Sequence, residues 1–245
     1  MTTPAAPLLE VRGLTKRFAG LVANDEVSFS VYPGEIVSII GPNGAGKSTL
    51  FGCVTGFHKP DKGSIRYQGR EIAGKSADRI CRLGIARTFQ IVQVIGEMTV
   101  LENAMTGAFL RAPQRREARR RAEELLAFTG LLEKRDFLGT SLTIADKHRL
   151  EMAMALATEP KLLMLDEAMA GLTPVELKPI LALIREVRKR GVTVVIVEHV
   201  MEAVMQLSDR VIVLNSGKTI VEGKPREVIA DPRVIQAYLG ERYRA

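Results

Sequence analysis

Gly41-Pro42-Asn43-Gly44-Ala45-Gly46-Lys47-Ser48-Thr49 is the stretch that decides the fold of this chain. It fits G-x-x-x-x-G-K-[ST], the P-loop pattern that cradles nucleotide phosphates. Gly41, Gly44 and Gly46 let the backbone turn sharply and come close to an anion. Successive N–H groups then form a nest at the start of a helix, where the helix dipole also favours negative charge. Lys47 can reach the outer phosphates as a point charge, and the Ser48 hydroxyl can bind Mg²⁺. A Gly-rich turn can match such a pattern by accident, so the context decides. Ile36-Val37-Ser38-Ile39-Ile40 reads as a buried strand feeding the loop, and Leu50, Phe51 and Val54 follow at helical spacing. Strand, loop and helix together predict a nucleotide site running from Gly41 to Thr49.

Outward from that loop the bulk composition is ordinary. The 245 residues suffice for one large α/β domain, and 46% apolar with 26% charged residues is usual for a globular protein. The longest apolar runs, such as Val192–Val197, are of strand length and far short of a membrane span. Met1–Pro7 lacks the charged start and apolar core of a secretory signal. Cys53 and Cys81 have no metal spacing, so a reduced, cytoplasmic setting is the default expectation. The net charge of +7 is concentrated at Arg111, Arg115, Arg116, Arg119, Arg120 and Arg121. The bland reading of that run is a solvated helix supported by the i,i+4 pairs Glu117–Arg121, Arg119–Glu123 and Arg120–Glu124. The sharper one is a face near anionic lipid. No aromatic residues interleave with the arginines, so nucleic acid is not an expected partner.

Strand patterns appear at Leu8–Val11, Val27–Val31, Ile36–Ile40 and Ser64–Tyr67. Residues 91–158 are helical in pattern and rich in Arg and Glu. Strand and helix then alternate again. Leu162–Leu165 and Val192–Val197 read as buried strands, and Thr173-Pro174-Val175-Glu176 is a strong helix start. Arg210–Leu214 and Lys218–Val221 flank the turn Asn215-Ser216-Gly217, while Pro225 and Pro232 each open a short helix. The expected fold is α/β, as one domain over 1–245. Residues 1–90 and 159–245 form a nucleotide core, a mostly parallel sheet with helices on both faces and an antiparallel N-terminal β subdomain. Residues 91–158 form an inserted α-helical subdomain.

Further chemistry lies at the predicted strand ends. Leu162–Leu165 runs into Asp166-Glu167, which puts two carboxylates at the carboxyl edge of the sheet beside the phosphates. Asp166 is expected to hold Mg²⁺ and Glu167 to activate the attacking water. A buried pair of carboxylates without a cation is costly, which favours this reading over a structural one. His199 follows the strand ending at Val197 and can donate to a phosphate or polarise the water, or simply bond to backbone. Gln90 can reach Mg²⁺ or the water. Phe18 is equally a residue to stack on adenine or a core phenylalanine.

In this order these elements resemble an ABC-type ATPase, the nucleotide-binding subunit of an ATP-driven transporter, over essentially the whole chain. The resemblance implies a Q-loop glutamine at Gln90, a switch histidine at His199, a catalytic base at Glu167 and adenine stacking at Phe18. It also implies ATP sandwiched between two such domains. Arg87-Thr88-Phe89-Gln90, Met98–Asn103, Ala170–Pro174, Val197–Met201 and Ala237–Gly240 are similar to the family that imports branched-chain and other hydrophobic amino acids, or related small acids and amides. That family implies a second, different ATPase, two transmembrane permease subunits and a periplasmic binding protein acting indirectly. The chain would then sit peripherally on the cytoplasmic face of the inner membrane.

One segment departs from the family pattern. The signature that faces the partner's ATP usually reads close to Leu-Ser-Gly/Tyr-Gly-Gln, and here it is Leu142-Thr143-Ile144-Ala145-Asp146. Thr143 keeps a hydroxyl, Ala145 adds a methyl, and Asp146 adds a negative charge. A unit charge about 7 Å from a phosphate at an effective dielectric of about 20 costs roughly 2 kcal/mol. The expectation is a weakened trans element beside an intact cis site, hence an asymmetric heterodimer. The competing readings are a nucleotide-gated subunit with little hydrolysis and an ATPase of lipid-export type.

Overall fold

The computed structural model describes residues 6–242. The reading of Met1–Pro7 therefore falls largely outside the described residues, as do the side chains of Leu239 and Gly240 in the C-terminal motif.

Chain order begins with β1 (Leu9–Phe18), β2 (Leu21–Val31) and β3 (Ile36–Ile40), followed by α1 (Lys47–Val54), β4 (Lys62–Tyr67), β5 (Arg70–Glu71), α2 (Ala77–Leu83) and β6 (Ile85–Arg87). Three helices follow: α3 (Val100–Ala108), α4 (Arg115–Thr129) and α5 (Ile144–Ala157). The chain closes with β7 (Leu162–Asp166), α6 (Pro174–Lys189), β8 (Thr193–Val197), α7 (Met201–Leu207), β9 (Arg210–Asn215), β10 (Lys218–Gly223), α8 (Pro225–Ile229) and α9 (Pro232–Arg242).

Two sheets result. The larger runs β10-β9-β3-β8-β7-β6, with every pairing parallel except β9 with β10. β3, β7 and β8 are buried at every residue, as expected of parallel strands covered on both faces. Alternate residues serve opposite faces. Leu162 and Met164 pack with α1, while Leu163 and Leu165 pack with α5 and α6. The smaller sheet is antiparallel, in the order β2-β1-β4-β5. Its first strands are longer than the sequence pattern predicts. β1 and β2 form a hairpin whose register slips at several points between Val11 and Arg17, and each slip interrupts the apolar alternation that marks a strand.

The helix and turn signals act locally. Thr173 caps α6 through the Glu176 N–H, Glu176 caps in return, and Pro174 stands at the first position. Ser216 and Gly217 both have positive φ between paired Asn215 and Lys218, the geometry of a two-residue hairpin turn. α3, α4 and α5 share a small core of their own around Val100, Ala104, Ala118, Ala122, Leu126 and Leu150. All three expected i,i+4 ion pairs lie on α4.

Because β3, β6, β7 and β8 run parallel, their carboxyl ends share one edge of the sheet. That edge receives the loop after Ile40, Thr88–Gln90 after β6, Asp166-Glu167 in and after β7, and Glu198-His199 after β8.

Candidate functional site

The loop after β3 has the shape its glycines predict. A Cβ on Gly41 would stand 2.1 Å from the Leu214 carbonyl oxygen, and one on Gly46 would stand 2.2 Å from that of Ala23. Gly46 also has φ +99, so no other residue fits there without rebuilding two elements. Buried Asn24 donates to the Gly46 carbonyl at 3.1 Å and fixes where α1 begins. Lys47 is buried, and its ammonium donates to the carbonyls of Gly41 at 2.6 Å and Pro42 at 2.9 Å. The cation is thus held over the loop's own backbone, where a phosphate can accept it.

At the end of β7 the two carboxylates part company. Asp166 is buried, and one oxygen accepts from Arg87 Nη2 at 2.6 Å. Arg87 comes from β6 and lies among the rings of Phe51, Phe57 and Phe89, 5.2–5.8 Å from their centroids. Burial raises the Asp166 carboxyl above the usual carboxylate range, and Arg87 opposes that rise. Glu167 turns outward with φ +52, left-handed backbone that a non-glycine residue adopts only when its surroundings hold it there. Its Oε2 accepts from Gln90 Nε2 at 2.9 Å, and its N–H donates to the Val197 carbonyl.

A cavity of about 560 Å³ joins these parts. Phe18, Asn43 through Thr49, Gln90 and Glu167 all line it. Gly41 and Pro42 contribute through the carbonyls that hold Lys47. Phe18 is not a core residue: it is 42% exposed, edge-on to His58, with the Lys16 ammonium 5.1 Å from its ring centroid. His199 is exposed at the same sheet edge, and neither it nor buried Asp166 lines the cavity. Beside His199, buried Glu198 accepts from the Met169 N–H and so ties the end of β8 to the segment after Glu167.

Ala145 and Asp146, expected to face another chain's nucleotide, are both buried within the single chain. Thr143 caps α5 by accepting from the Asp146 N–H, which turns the Asp146 side chain inward. Asp146 is 6% exposed; it is bonded to Lys134, with Arg149 3.8 Å away. The Lys134 and Arg149 cations lie against the Asp146 carboxylate and offset its negative charge. Ala145 is buried as well, and Thr143 and Ile144 are what the helix start presents.

The residues suit Mg²⁺. Among the described residues no cluster of three His, Cys, Asp or Glu gathers. The oxygens available are the Ser48 hydroxyl and the Gln90 amide in the cavity, and Asp166 Oδ1, buried without a hydrogen-bond partner. This is a sparse, hard-oxygen set, of the kind that holds Mg²⁺ together with water and substrate phosphates.

Sequence reasoning passed over Arg87, Asn24, Lys134, Glu151 and Glu198. Arg87 carried a signal, a cation in an apolar strand next to a strand ending in Asp; the others depend on partners far along the chain.

The profile of the ABC transporter family matches residues 24–170, and that of the branched-chain amino acid ATP-binding cassette transporter matches residues 218–244. The chain is 44% identical to the high-affinity branched-chain amino acid transport ATP-binding protein LivG of Escherichia coli (strain K12), across 96% of this chain and 98% of that one. Among solved structures it is similar to a nucleotide-free ATP-binding cassette of an ABC transporter (TM-score 0.89, 33% identity, 95% of this chain and 99% of that one). It is also similar to a dimeric ATP-binding cassette in a post-hydrolysis state with ADP and Pi (TM-score 0.80, 26% identity, 89% and 99%).

Proposed function

The chain belongs to the ABC transporter family, and from that premise we propose that it hydrolyses ATP to drive a membrane importer of branched-chain or other hydrophobic amino acids. The observation that carries the reading is the cavity where Lys47, Gln90 and Glu167 meet. ATP places its phosphates in the nest from Gly41 to Thr49 and its adenine on Phe18. Lys47 gives up the carbonyls of Gly41 and Pro42 for phosphate oxygens. Glu167 takes the proton of the attacking water, and Gln90, already bonded to Glu167, orients both. His199 closes on the γ-phosphate from the end of β8. Ser48, Gln90 and Asp166 would hold Mg²⁺, which would supply neutralisation of phosphate charge.

The partner across the ATP is a second, different ATPase, because Thr143 and Ile144 present an altered signature. Two transmembrane permeases and a periplasmic binding protein complete the assembly, with this chain on the cytoplasmic face of the inner membrane. No helix among the described residues is long and apolar enough to cross a membrane, which agrees with a peripheral subunit. Two measurements test the reading. Turnover of the chain alone should be well below turnover with its partner ATPase; equal rates would overturn the heterodimer. Cells carrying Glu167→Gln should lose uptake of labelled leucine while arginine uptake continues, since a general base is worth about 10²–10⁴ in rate. Unchanged leucine uptake would overturn the assignment.

A further inference from the structure

A buried carboxylate that the mechanism does not use lies 15 residues before Asp166. Glu151, on α5, is 4% exposed. Its Oε1 accepts from the Phe89 N–H at 2.9 Å and from the Gln93 N–H at 3.4 Å. Those two amides flank Gln90, so one oxygen gathers the loop from both sides. The loop has few other fastenings: Gln93 bonds within it, to the Ile91 carbonyl, and Ile91 is 78% exposed. At its centre Gln90 reaches Glu167. Phe89, Gln93, Arg87 and Glu151 also line one cavity of about 300 Å³ between the sheet edge and the helical subdomain. Phe89 packs edge-on to Phe57 at the start of the loop, and beyond it the hydrogen bonds to Glu151 hold the backbone.

We propose that Glu151 is a positioning residue for the reaction: its carboxylate clamps the segment Phe89–Gln93 to α5 and thereby sets where Gln90 meets Glu167. The helix gives the clamp a second meaning. α5 begins at Thr143, the group presented toward the partner's nucleotide, and Glu151 lies eight residues along it. At 1.5 Å per residue that is about 12 Å of rigid helix. One turn before Glu151, buried His148 lies beside the Ala170 backbone, in the segment that follows Glu167. A shift of α5 driven by the partner's nucleotide is therefore passed to Gln90 through Glu151 without crossing solvent. Burial agrees with this placement: it pushes the Glu151 carboxyl up to about 7, Asp166 adds to the rise, and the two amides and Arg87 oppose it.

The inference rests on the assignment of Gln90 and Glu167 to ATP hydrolysis, and the test separates the two. Glu151→Met keeps the length and burial of the side chain but accepts no hydrogen bond; Glu151→Gln keeps an acceptor oxygen. Each is assembled with the partner ATPase and compared with the native chain by amide exchange, binding of a fluorescent ATP analogue and steady-state ATPase. Loss of bonds to a buried carboxylate is worth about tenfold or more. Glu151→Met should speed exchange of the peptide spanning residues 88–95 by about tenfold and leave other peptides unchanged. It should lower kcat by a similar factor, with KM for ATP within about twofold because the Gly41–Thr49 nest is untouched. Glu151→Gln should restore both. Exchange that is unchanged at 88–95, or faster everywhere, overturns the proposal, as does Glu151→Gln failing like Glu151→Met. A native complex that binds no nucleotide overturns instead the reading on which it rests.

Discussion

The loop Gly41–Thr49 and the segment Leu142–Asp146 each open a helix, and each is proposed to meet phosphate, but their charges are disposed differently. In the first, the Lys47 ammonium donates to the backbone carbonyls of Gly41 and Pro42 and lies over the loop. In the second, Asp146 is matched by Lys134 and Arg149 inside the protein. The helix start that faces outward is electrically quiet and offers one hydroxyl, Thr143, beside one apolar side chain, Ile144. The cis half holds a cation over its loop backbone; the trans half draws its anion into ion pairs of the fold. The altered signature therefore differs from the family pattern in shape and hydrogen bonding, not in electrostatic repulsion.

That contrast can be broken from either side. The largest effect is expected in the cis half. Phe18→Ala should weaken ATP binding by about tenfold or more, since stacking on a base is worth roughly 1–3 kcal/mol, with kcat nearly unchanged. Titration with a fluorescent ATP analogue measures it, and native affinity would return Phe18 to a surface residue without a role. A smaller effect is expected at Thr143. Thr143→Ala removes the cap of α5, costing about 1 kcal/mol of stability, and should lower turnover of the partnered complex several-fold; Thr143→Ser should spare both. Denaturant unfolding and ATPase assays decide it. The smallest effect on turnover is expected at Asp146. Asp146→Asn should change partnered ATPase by less than about twofold while lowering Tm by about 2–4 °C, because the partly exposed cations of Lys134 and Arg149 lose their anion. A large gain in turnover would show that the charge faces nucleotide after all.

The sequence made the cis half legible because its chemistry is local. Gly41 to Ser48 carry their roles in their spacing, and Leu162–Glu167 shows both the strand and the carboxylates that leave it. Thr173-Pro174-Val175-Glu176 likewise carries its cap within four residues. The trans half was legible only as a departure. Nothing near Asp146 shows that Lys134, 12 residues earlier, folds back onto it. The clamp at Glu151 spans 62 residues and the Arg87–Asp166 pair spans 79, so no window of sequence contains both partners. The arginine run divides the same way. The pairs within α4 follow from i,i+4 spacing, whereas Arg111 donates to the carbonyls of Thr158 and Arg82, and Arg121 also reaches Glu159, through tertiary contacts alone. β6, three residues long, leaves too short an apolar run to read, yet it delivers Arg87 and Gln90 to the site.

Arg87 also decides how this protein meets changes in ionic strength. Its guanidinium is boxed by Phe51, Phe57 and Phe89, and its partner Asp166 is 2% exposed at the side chain. Dissolved ions screen exposed charges over about 8 Å at physiological salt but act weakly on pairs they cannot approach. The arginine–glutamate pairs along α4 lie open to such ions, with Arg119 58% and Arg120 62% exposed. Rising salt will therefore loosen the surface of the helical subdomain long before it reaches the counter-ion of Asp166. The buried carboxylate at the end of β7 keeps its own counter-ion, and swings in salt that alter the outside of the molecule leave that pair as it was.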